Sequence, residues 1–193
     1  MNKNNLEPFY SISQDGKPFL DNYNFKRFLE VNDFFKHKPN DQSSFNIIKK
    51  NDIFLEIKDD FEVKDFVLDY IETEIQNKQV YNLMTSKTNV FKRDFLSMIH
   101  SREISLLRDK KDICYLFYEN GVVEINKDSK KLRPYSDFGL SIWKDQVIKR
   151  NYIDSDHHQS KYREFIWKIS GENVERYNTF KTFIGYLVHS YKS

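Results

Sequence analysis

An Asn-Gly pair between two apolar runs is the sequence feature that most constrains how this chain folds. Residues 113–118 and 122–126 are rich in apolar side chains, and Glu119, Asn120 and Gly121 lie between them. Asn and Gly readily adopt the positive φ angles that a tight hairpin turn requires. We therefore predict an antiparallel β-hairpin in the second half of the chain.

Helical periodicity dominates the segment before this hairpin. Asp59 and Glu62 form a capping-box pattern, which places acidic groups at the positive end of a helix dipole. Shorter helices are predicted at 79–85 and 88–100. The helix that follows the capping box carries apolar residues at helical spacing, namely Val63, Phe66, Val67, Tyr70, Ile71 and Ile75.

Weaker patterns complete an α+β fold. In chain order they predict a strand at 9–12, a helix at 24–36, a hairpin of 45–48 with 53–57, a strand at 104–107, a polar turn at 128–134, and helices at 162–169 and 173–191. We predict a small α/β subdomain over residues 1–58. Residues 59–193 are predicted to form a winged-helix-like helical bundle with β-hairpins and a long C-terminal helix.

Composition assigns the core to aromatic side chains, because the 193 residues include 17 Phe and 12 Tyr. The formal net charge is only +2, which gives no strong electrostatic reason to expect nucleic acid. The charge is −2 over residues 1–96 (14 basic, 16 acidic) and +4 over residues 97–193 (17 basic, 13 acidic). Any contact with a polyanion is therefore expected in the second half.

Cysteine usage and hydropathy predict a cytoplasmic protein with no membrane partner. The single cysteine, Cys114, cannot form an intramolecular disulfide, and its apolar surroundings predict a small buried side chain rather than a nucleophile. The first residues lack the apolar region of a signal peptide. No apolar run approaches the roughly 20 residues of a membrane span.

Catalytic motifs are absent from the sequence. It contains no Gly-x-x-x-x-Gly-Lys-[Ser/Thr], no Gly-x-Ser-x-Gly and no His-Glu-x-x-His, and its five glycines are isolated from one another. Asp154, Asp156, His157 and His158 could bind a divalent metal, but adjacent histidines rarely point at one ion, and we interpret this segment as a solvated loop. We predict no catalytic residue, no metal ligand and no cofactor.

A winged-helix order would bring basic side chains together at a DNA-binding surface. Such a protein would carry Lys87, Lys92 and Arg93 on its third helix. Lys110, Lys111, Lys127, Lys130, Lys131 and Arg133 would lie on the turns of the hairpins that follow. The alternative is a helical core with a solvated basic surface, because phosphate binding requires that the fold cluster these cations.

From residue 106 onward, a series of short segments resembles one known family. The segments are an apolar strand with Asn-Gly and Val-Val-Glu (107–125), Leu-Arg-Pro-Tyr (132–135), Ile-Trp-Lys-Asp-Gln-Val-Ile (142–148) with Arg150, Phe-Ile-Trp-Lys-Ile (165–169), and Arg176 with Phe-Ile-Gly-Tyr-Leu-Val-His-Ser-Tyr-Lys (183–192). Over roughly residues 60–193, their order is similar to the region upstream of the motor in phage- and poxvirus-type primase-helicases. These are superfamily 3-like AAA+ proteins.

The resemblance implies a non-catalytic helicase-associated module of phage or mobile-element DNA replication. It would position DNA, neighbouring subunits or both beside an ATPase motor beyond Ser193, as a fragment of a larger protein or as a free-standing product. The implied partners are DNA, the motor and further copies of the chain, and ATP and Mg²⁺ would bind the motor alone. The alternative is a stand-alone protein–protein interaction domain, with Trp143 and Trp167 as interface anchors or core residues.

Overall fold

The computed structural model describes residues 7–39, 44–154 and 160–189, which form an α+β fold as predicted. The strands are β1 (Tyr10–Ile12), β2 (Pro18–Leu20), β3 (Phe34–His37), β4 (Asn46–Asn51), β5 (Phe54–Lys58), β6 (Cys114–Tyr118), β7 (Gly121–Ile125), β8 (Lys130–Arg133) and β9 (Ile142–Trp143). The helices are α1 (Asn22–Val31), α2 (Asp60–Tyr70), α3 (Lys78–Ser86), α4 (Arg93–Leu96), α5 (Lys161–Ile169) and α6 (Val174–Val188). No helix in these ranges is both long and apolar enough to cross a membrane.

The chain divides into two compact units. Unit 1 comprises residues 1–105 with 141–144, and unit 2 comprises residues 106–140 with 145–193. The predicted boundary after residue 58 falls inside unit 1, since Val63 of α2 belongs to the same buried cluster as Phe25 of α1. The apolar stripe of α2 is therefore part of the N-terminal core, which explains why no division occurs at its capping box.

Unit 1 has an aromatic core, as the composition predicts. Phe25, Phe28 and Phe34 are almost completely buried, and the rings of Phe9 and Phe28 lie 4.7 Å apart. Tilted and edge-on ring contacts of this kind add to the free energy of simple area burial. Helices α1 to α4 are thereby joined with β3 and β4 in one hydrophobic cluster.

Helix α1 ends earlier than the sequence predicts. Its N-cap is Asp21, whose carboxylate accepts a hydrogen bond from the backbone N of Asn24 at 2.9 Å. The predicted helix to residue 36 is wrong after Val31, because Asp33 takes a left-handed conformation (φ 60°) and starts the turn into β3. The apolar residues after this turn are therefore buried as part of strand β3 and not as part of a helix.

Strands β3, β4, β5 and β9 form a sheet in that order. The predicted hairpin is confirmed as the antiparallel pair β4–β5 with its turn at Asp52 (φ 55°), although β4 extends to Asn51, beyond the predicted end at residue 48. Strand β9, which comes from the segment 141–144, pairs in parallel with β5. One edge of the sheet is thus completed by residues that are distant in sequence.

The capping box of α2 is confirmed. The Asp59 carboxylate accepts from the Glu62 backbone N at 2.8 Å, and the Glu62 carboxylate accepts from the Asp59 backbone N at 3.0 Å. The predicted helix to residue 75 continues beyond Tyr70 as a π-helical turn, Ile71–Ile75. This turn closes with a 2.7 Å hydrogen bond from the Gln76 N to the Ile71 carbonyl.

The predicted helix at 88–100 is wrong, and with it the winged-helix arrangement. A 3₁₀ turn, Thr88–Phe91, is followed by extended Lys92 and by the single turn of α4. The neighbouring residues Val90 and Phe91 are both buried. Both residues lie on the 3₁₀ turn, and Lys92, with φ −71° and ψ 153°, ends this turn before α4 begins.

Unit 2 contains the Asn-Gly hairpin, which is confirmed as β6–β7. The residues predicted as a polar turn at 128–134 include a third strand, β8, which pairs with β7. That part of the prediction is wrong, because an edge strand tolerates charged side chains and leaves no apolar alternation to detect. Residues 104–107, which were predicted to form a strand, form none.

Helices α5 and α6 follow within unit 2 and agree with the sequence analysis. The Ser160 hydroxyl caps α5, Gly171 turns the chain with φ 66°, and Asn173 caps α6. Helix α6 ends at Val188, and the predicted extension to residue 191 lies outside the described residues. No described side chain of α6 is buried, which distinguishes it from the helices of unit 1.

Replacing Gly121 with Ala tests the β6–β7 turn. Gly121 has φ 146°, and an added Cβ would lie 2.5 Å from the Arg133 carbonyl oxygen of β8. We expect Gly121→Ala to lower the free energy of unfolding by about 1–3 kcal/mol in urea titrations. Gly139→Ala is the matched control, because nothing lies within 4 Å of its Cβ position. Equal effects of the two substitutions would contradict this description of the turn.

Candidate functional site

The nine basic residues predicted to lie at a DNA surface do not form one surface within a single unit. Lys87, Lys92 and Arg93 belong to unit 1. Unit 2 contains the other six, which are Lys110, Lys111, Lys127, Lys130, Lys131 and Arg133. The helix and hairpin that would have brought the two groups together do not form a winged helix, so each group is considered separately.

In unit 1, Arg93 is engaged in the fold. Its guanidinium donates to the Phe45 carbonyl and lies over the Phe45 ring, 4.4 Å from its centroid. Lys87 and Lys92 are exposed and form no ion pair with any described residue. These two lysines lie at the ends of short helical turns.

In unit 2, two of the six cations are already paired with acids. Lys130 Nζ lies 2.8 Å from Asp154 Oδ1, and Arg133 bridges Glu124 at 3.1 Å and Asp137 at 3.2 Å. The hydrogen bond that Lys130 donates to the Asp154 carboxylate raises the pKa of Lys130. The remaining cations of β8 and the nearby turns are exposed and form no ion pair within the described ranges; they are Lys110, Lys111, Lys127 and Lys131.

Cys114 is a poor nucleophile in its surroundings. Burial, together with the nearby Asp109 carboxylate, raises the pKa of the Cys114 thiol to about 11. The thiol therefore stays protonated at neutral pH, and only the thiolate reacts rapidly. Its half-buried position on β6 fits the packing role predicted from the sequence.

The acidic and histidine-rich loop is only partly described. Asp154 accepts hydrogen bonds from Lys130 and from the Tyr152 hydroxyl, whereas Asp156, His157 and His158 lie outside the described residues. Across residues 7–39, 44–154 and 160–189, no group of three or more His, Cys, Asp or Glu side chains is arranged to hold a metal.

A polar cluster in unit 1 was not found by sequence reasoning. His100 donates to Glu30 Oε1 both from its ring Nδ1, at 2.9 Å, and from its backbone N, at 2.8 Å. Arg102 Nε lies 2.6 Å from His100 Nε2, and Arg102 also approaches Asp33 at 3.4 Å. Both ring nitrogens of His100 are therefore engaged, and the cluster joins the end of α1 to the segment after α4. It has no free base for catalysis.

Glu30 remains ionised in this cluster. Burial by itself raises its pKa, but hydrogen bonds from His100 and Lys26 outweigh burial and hold the pKa below its ordinary value. A carboxylate that gains hydrogen bonds on folding stabilises the folded state at every pH above its unfolded-state pKa. The cluster is thus a structural clamp that depends on one negative charge.

Helix α6 presents an apolar face to solvent. No described apolar side chain of this helix is buried. We define the α6 face as four side chains that follow one another around its C-terminal half, with exposed fractions of 38% for Phe180, 57% for Phe183, 79% for Tyr186 and 64% for Leu187. Monomeric proteins rarely leave a cluster of large apolar side chains uncovered, and such clusters mark interaction sites.

The N-terminal half of α6 is held by α5. Trp167 and Tyr177 meet edge to face with centroids 5.5 Å apart, and Arg163 Nε donates to the Tyr177 hydroxyl at 3.1 Å. These contacts fix the angle between the two helices without covering the α6 face. Trp167 is half-buried in this contact, and Trp143 of unit 1 is half-buried in β9, so neither is a fully exposed anchor.

Comparison of the chain with protein-family models, with curated proteins and with solved structures gives no match. The resemblance to primase-helicases therefore remains a prediction.

Removing the charge of Glu30 tests the polar clamp. We expect Glu30→Gln to lower the free energy of unfolding by about 1–3 kcal/mol at pH 7, because a buried backbone N and a histidine lose a charged acceptor. The difference from the unchanged protein should shrink as the pH falls from 4.5, the ordinary glutamate pKa, through the lower pKa of Glu30 in the folded protein. There Glu30 itself becomes protonated and its charge is lost.

Glu164→Gln is the control for this measurement. Glu164 forms an exposed pair with Lys168 on α5, and exposed pairs contribute little to stability. Urea titrations at pH 7 and pH 3 measure the effect of each substitution on the free energy of unfolding. A pH-independent effect of Glu30→Gln would contradict the role of its charge.

Proposed function

We propose that this chain is a non-catalytic interaction module of a phage or mobile-element DNA-replication helicase, and that it binds the ATPase motor or a neighbouring subunit through the α6 face. The exposure of the α6 face is the observation that carries this proposal. The nature of the partner comes from the resemblance to primase-helicases.

The size of the α6 face supports a protein partner. Large side chains offer on the order of 200 Å² each, so the exposed fractions of its four residues leave roughly 450 Å² of apolar surface. A standard interface buries about 800 Å² per partner. The face would therefore form the apolar centre of such an interface, and the charged side chains around it would form the rim.

The chemistry of the described residues supports a role without catalysis. The His100 ring is engaged at both nitrogens and the Cys114 thiol is protonated at neutral pH. Within the described ranges, no group of three or more His, Cys, Asp or Glu side chains is placed to hold a metal ion. Binding is the activity that these side chains favour.

Polar substitutions on the α6 face test the interaction. We expect Phe183→Ser with Leu187→Ser to weaken binding to the purified AAA+ ATPase of the same genetic element at least tenfold, measured by isothermal titration calorimetry. Thr182→Ser, on the polar side of α6, is the matched control. Helicity should be unchanged in both variants, because the substituted side chains are exposed. Undiminished affinity of the double variant would refute the proposal.

A second candidate function, DNA binding, is favoured by the exposed lysines of unit 2. We expect Lys131→Gln to weaken binding of a single-stranded oligonucleotide and to lower the salt slope by about 1, because one phosphate contact is lost. Lys130→Gln should have a smaller effect, since Lys130 is already paired with Asp154. Fluorescence anisotropy across a sodium chloride series measures both.

The same measurement separates the two candidates. Binding to the motor with no detectable oligonucleotide binding at low salt would leave a pure protein-interaction domain. Equal salt slopes for Lys130→Gln and Lys131→Gln would argue against β8 as a nucleic-acid surface.

A further inference from the structure

Unit 1 contains a cavity of about 310 Å³ that neither candidate function uses. It lies where the residues before β1 meet the C-terminal ends of α1 and α2. Its walls include the buried rings of Phe9 and Phe28 and the partly buried side chains of Tyr70 and Ile75. Ligand sites in proteins have volumes from about 300 Å³ upwards, so the cavity is large enough for a small organic molecule.

The π-helical turn forms one wall of this cavity. Tyr70 and Ile75 are five positions apart, and in an α-helix they would point about 140° away from each other. The wider π turn, closed by the Gln76 N to Ile71 carbonyl hydrogen bond, brings both side chains to the cavity. Such turns are rare and recur at functional sites, because the irregular backbone is otherwise less stable than an α-helix.

The polar side chains of the lining are the exposed carboxylate of Glu7, the amide of Asn32 and the hydroxyls of Tyr10 and Tyr70. Glu7 contributes a carboxylate, which is oriented by a 3.3 Å hydrogen bond from the Asn24 side chain. The Asn32 amide nitrogen donates to the Phe28 carbonyl at 2.9 Å, which leaves its side-chain oxygen as an acceptor. No lysine or arginine is found among the described residues that line the cavity.

Aromatic rings complete the chemistry of the lining. The ring centroids of Phe28 and Tyr70 are 4.7 Å apart, and Tyr10 of β1 also lines the cavity. The faces of tyrosine and phenylalanine rings attract cations, and the attraction increases where water is excluded. A carboxylate beside several aromatic rings, with no cationic side chain, is complementary to a positively charged ligand with an apolar body.

We propose that this cavity binds a small organic ammonium ion. The Glu7 carboxylate pairs with the ammonium group, and the rings of Tyr70 and Phe28 with Ile75 enclose the apolar body. The site is separate from the α6 face and from the lysines of β8, so it does not depend on the function proposed for those surfaces.

Paired charged and uncharged probes test the ligand class on the full chain. Benzylamine is compared with benzyl alcohol, and choline with its uncharged carbon isostere dimethylbutanol. Nitrogen–proton NMR spectra would be recorded during each titration. We expect at least one cation to bind at least tenfold more tightly than its uncharged partner, with the largest shifts at Val31, Tyr70 and Ile75. Equal affinities within both pairs, or no binding of either cation, would overturn the proposal.

Two glutamate variants locate the site. Glu7→Gln should weaken cation binding at least threefold and leave the binding of the uncharged probe unchanged. Glu72→Gln is the matched control, because Glu72 belongs to the same π turn but lines a different cavity. Ile75→Trp fills the site and should abolish binding, with circular dichroism confirming that the helices remain. Equal losses in the two glutamate variants would show a non-specific effect of surface charge and would refute the assignment.

Discussion

Phe28 is the ring on which the packing of unit 1 depends. Its ring lies 4.7 Å from both Phe9 and Tyr70 and 6.2 Å from Phe66, so one side chain joins the start of the chain, α1 and α2. Protein interiors are closely packed and contain few voids. The cavity that Phe28 and Tyr70 line is such a void, and Ile75 of the π turn also lines it.

The two units use their apolar residues differently. Unit 1 encloses the apolar sides of α1, α2 and α3 in one cluster, whereas unit 2 leaves the apolar face of α6 in solvent. Burying apolar surface is the main favourable contribution to folding and association. An amphipathic helix whose apolar face is uncovered can therefore gain free energy when a partner buries that face. For this reason the function that we propose rests on the α6 face.

The polar contacts of the chain restrict what its charged residues can do. Arg93 is held by Phe45, and Lys130 and Arg133 are held by acids of unit 2. From the sequence, all three were predicted to be available for phosphate, because the order of residues does not reveal contacts between side chains that are distant in the chain. Fewer exposed lysines therefore remain to bind phosphate. For this reason we propose protein binding first and DNA binding as the second candidate function.

Local patterns determined part of this protein from the sequence alone. The capping box of Asp59 and Glu62, the β6–β7 turn at Gly121, and the α+β class follow from interactions between residues close in the chain. Tertiary structure decided the rest. The end of α1 at Asp33, the break at Lys92 and the third strand β8 arise because distant residues compete for the same backbone and the same core. The Glu30–His100 clamp joins positions 70 residues apart, and the cavity needs three separate segments. Such contacts depend on packing in three dimensions, which periodicity along the sequence does not record.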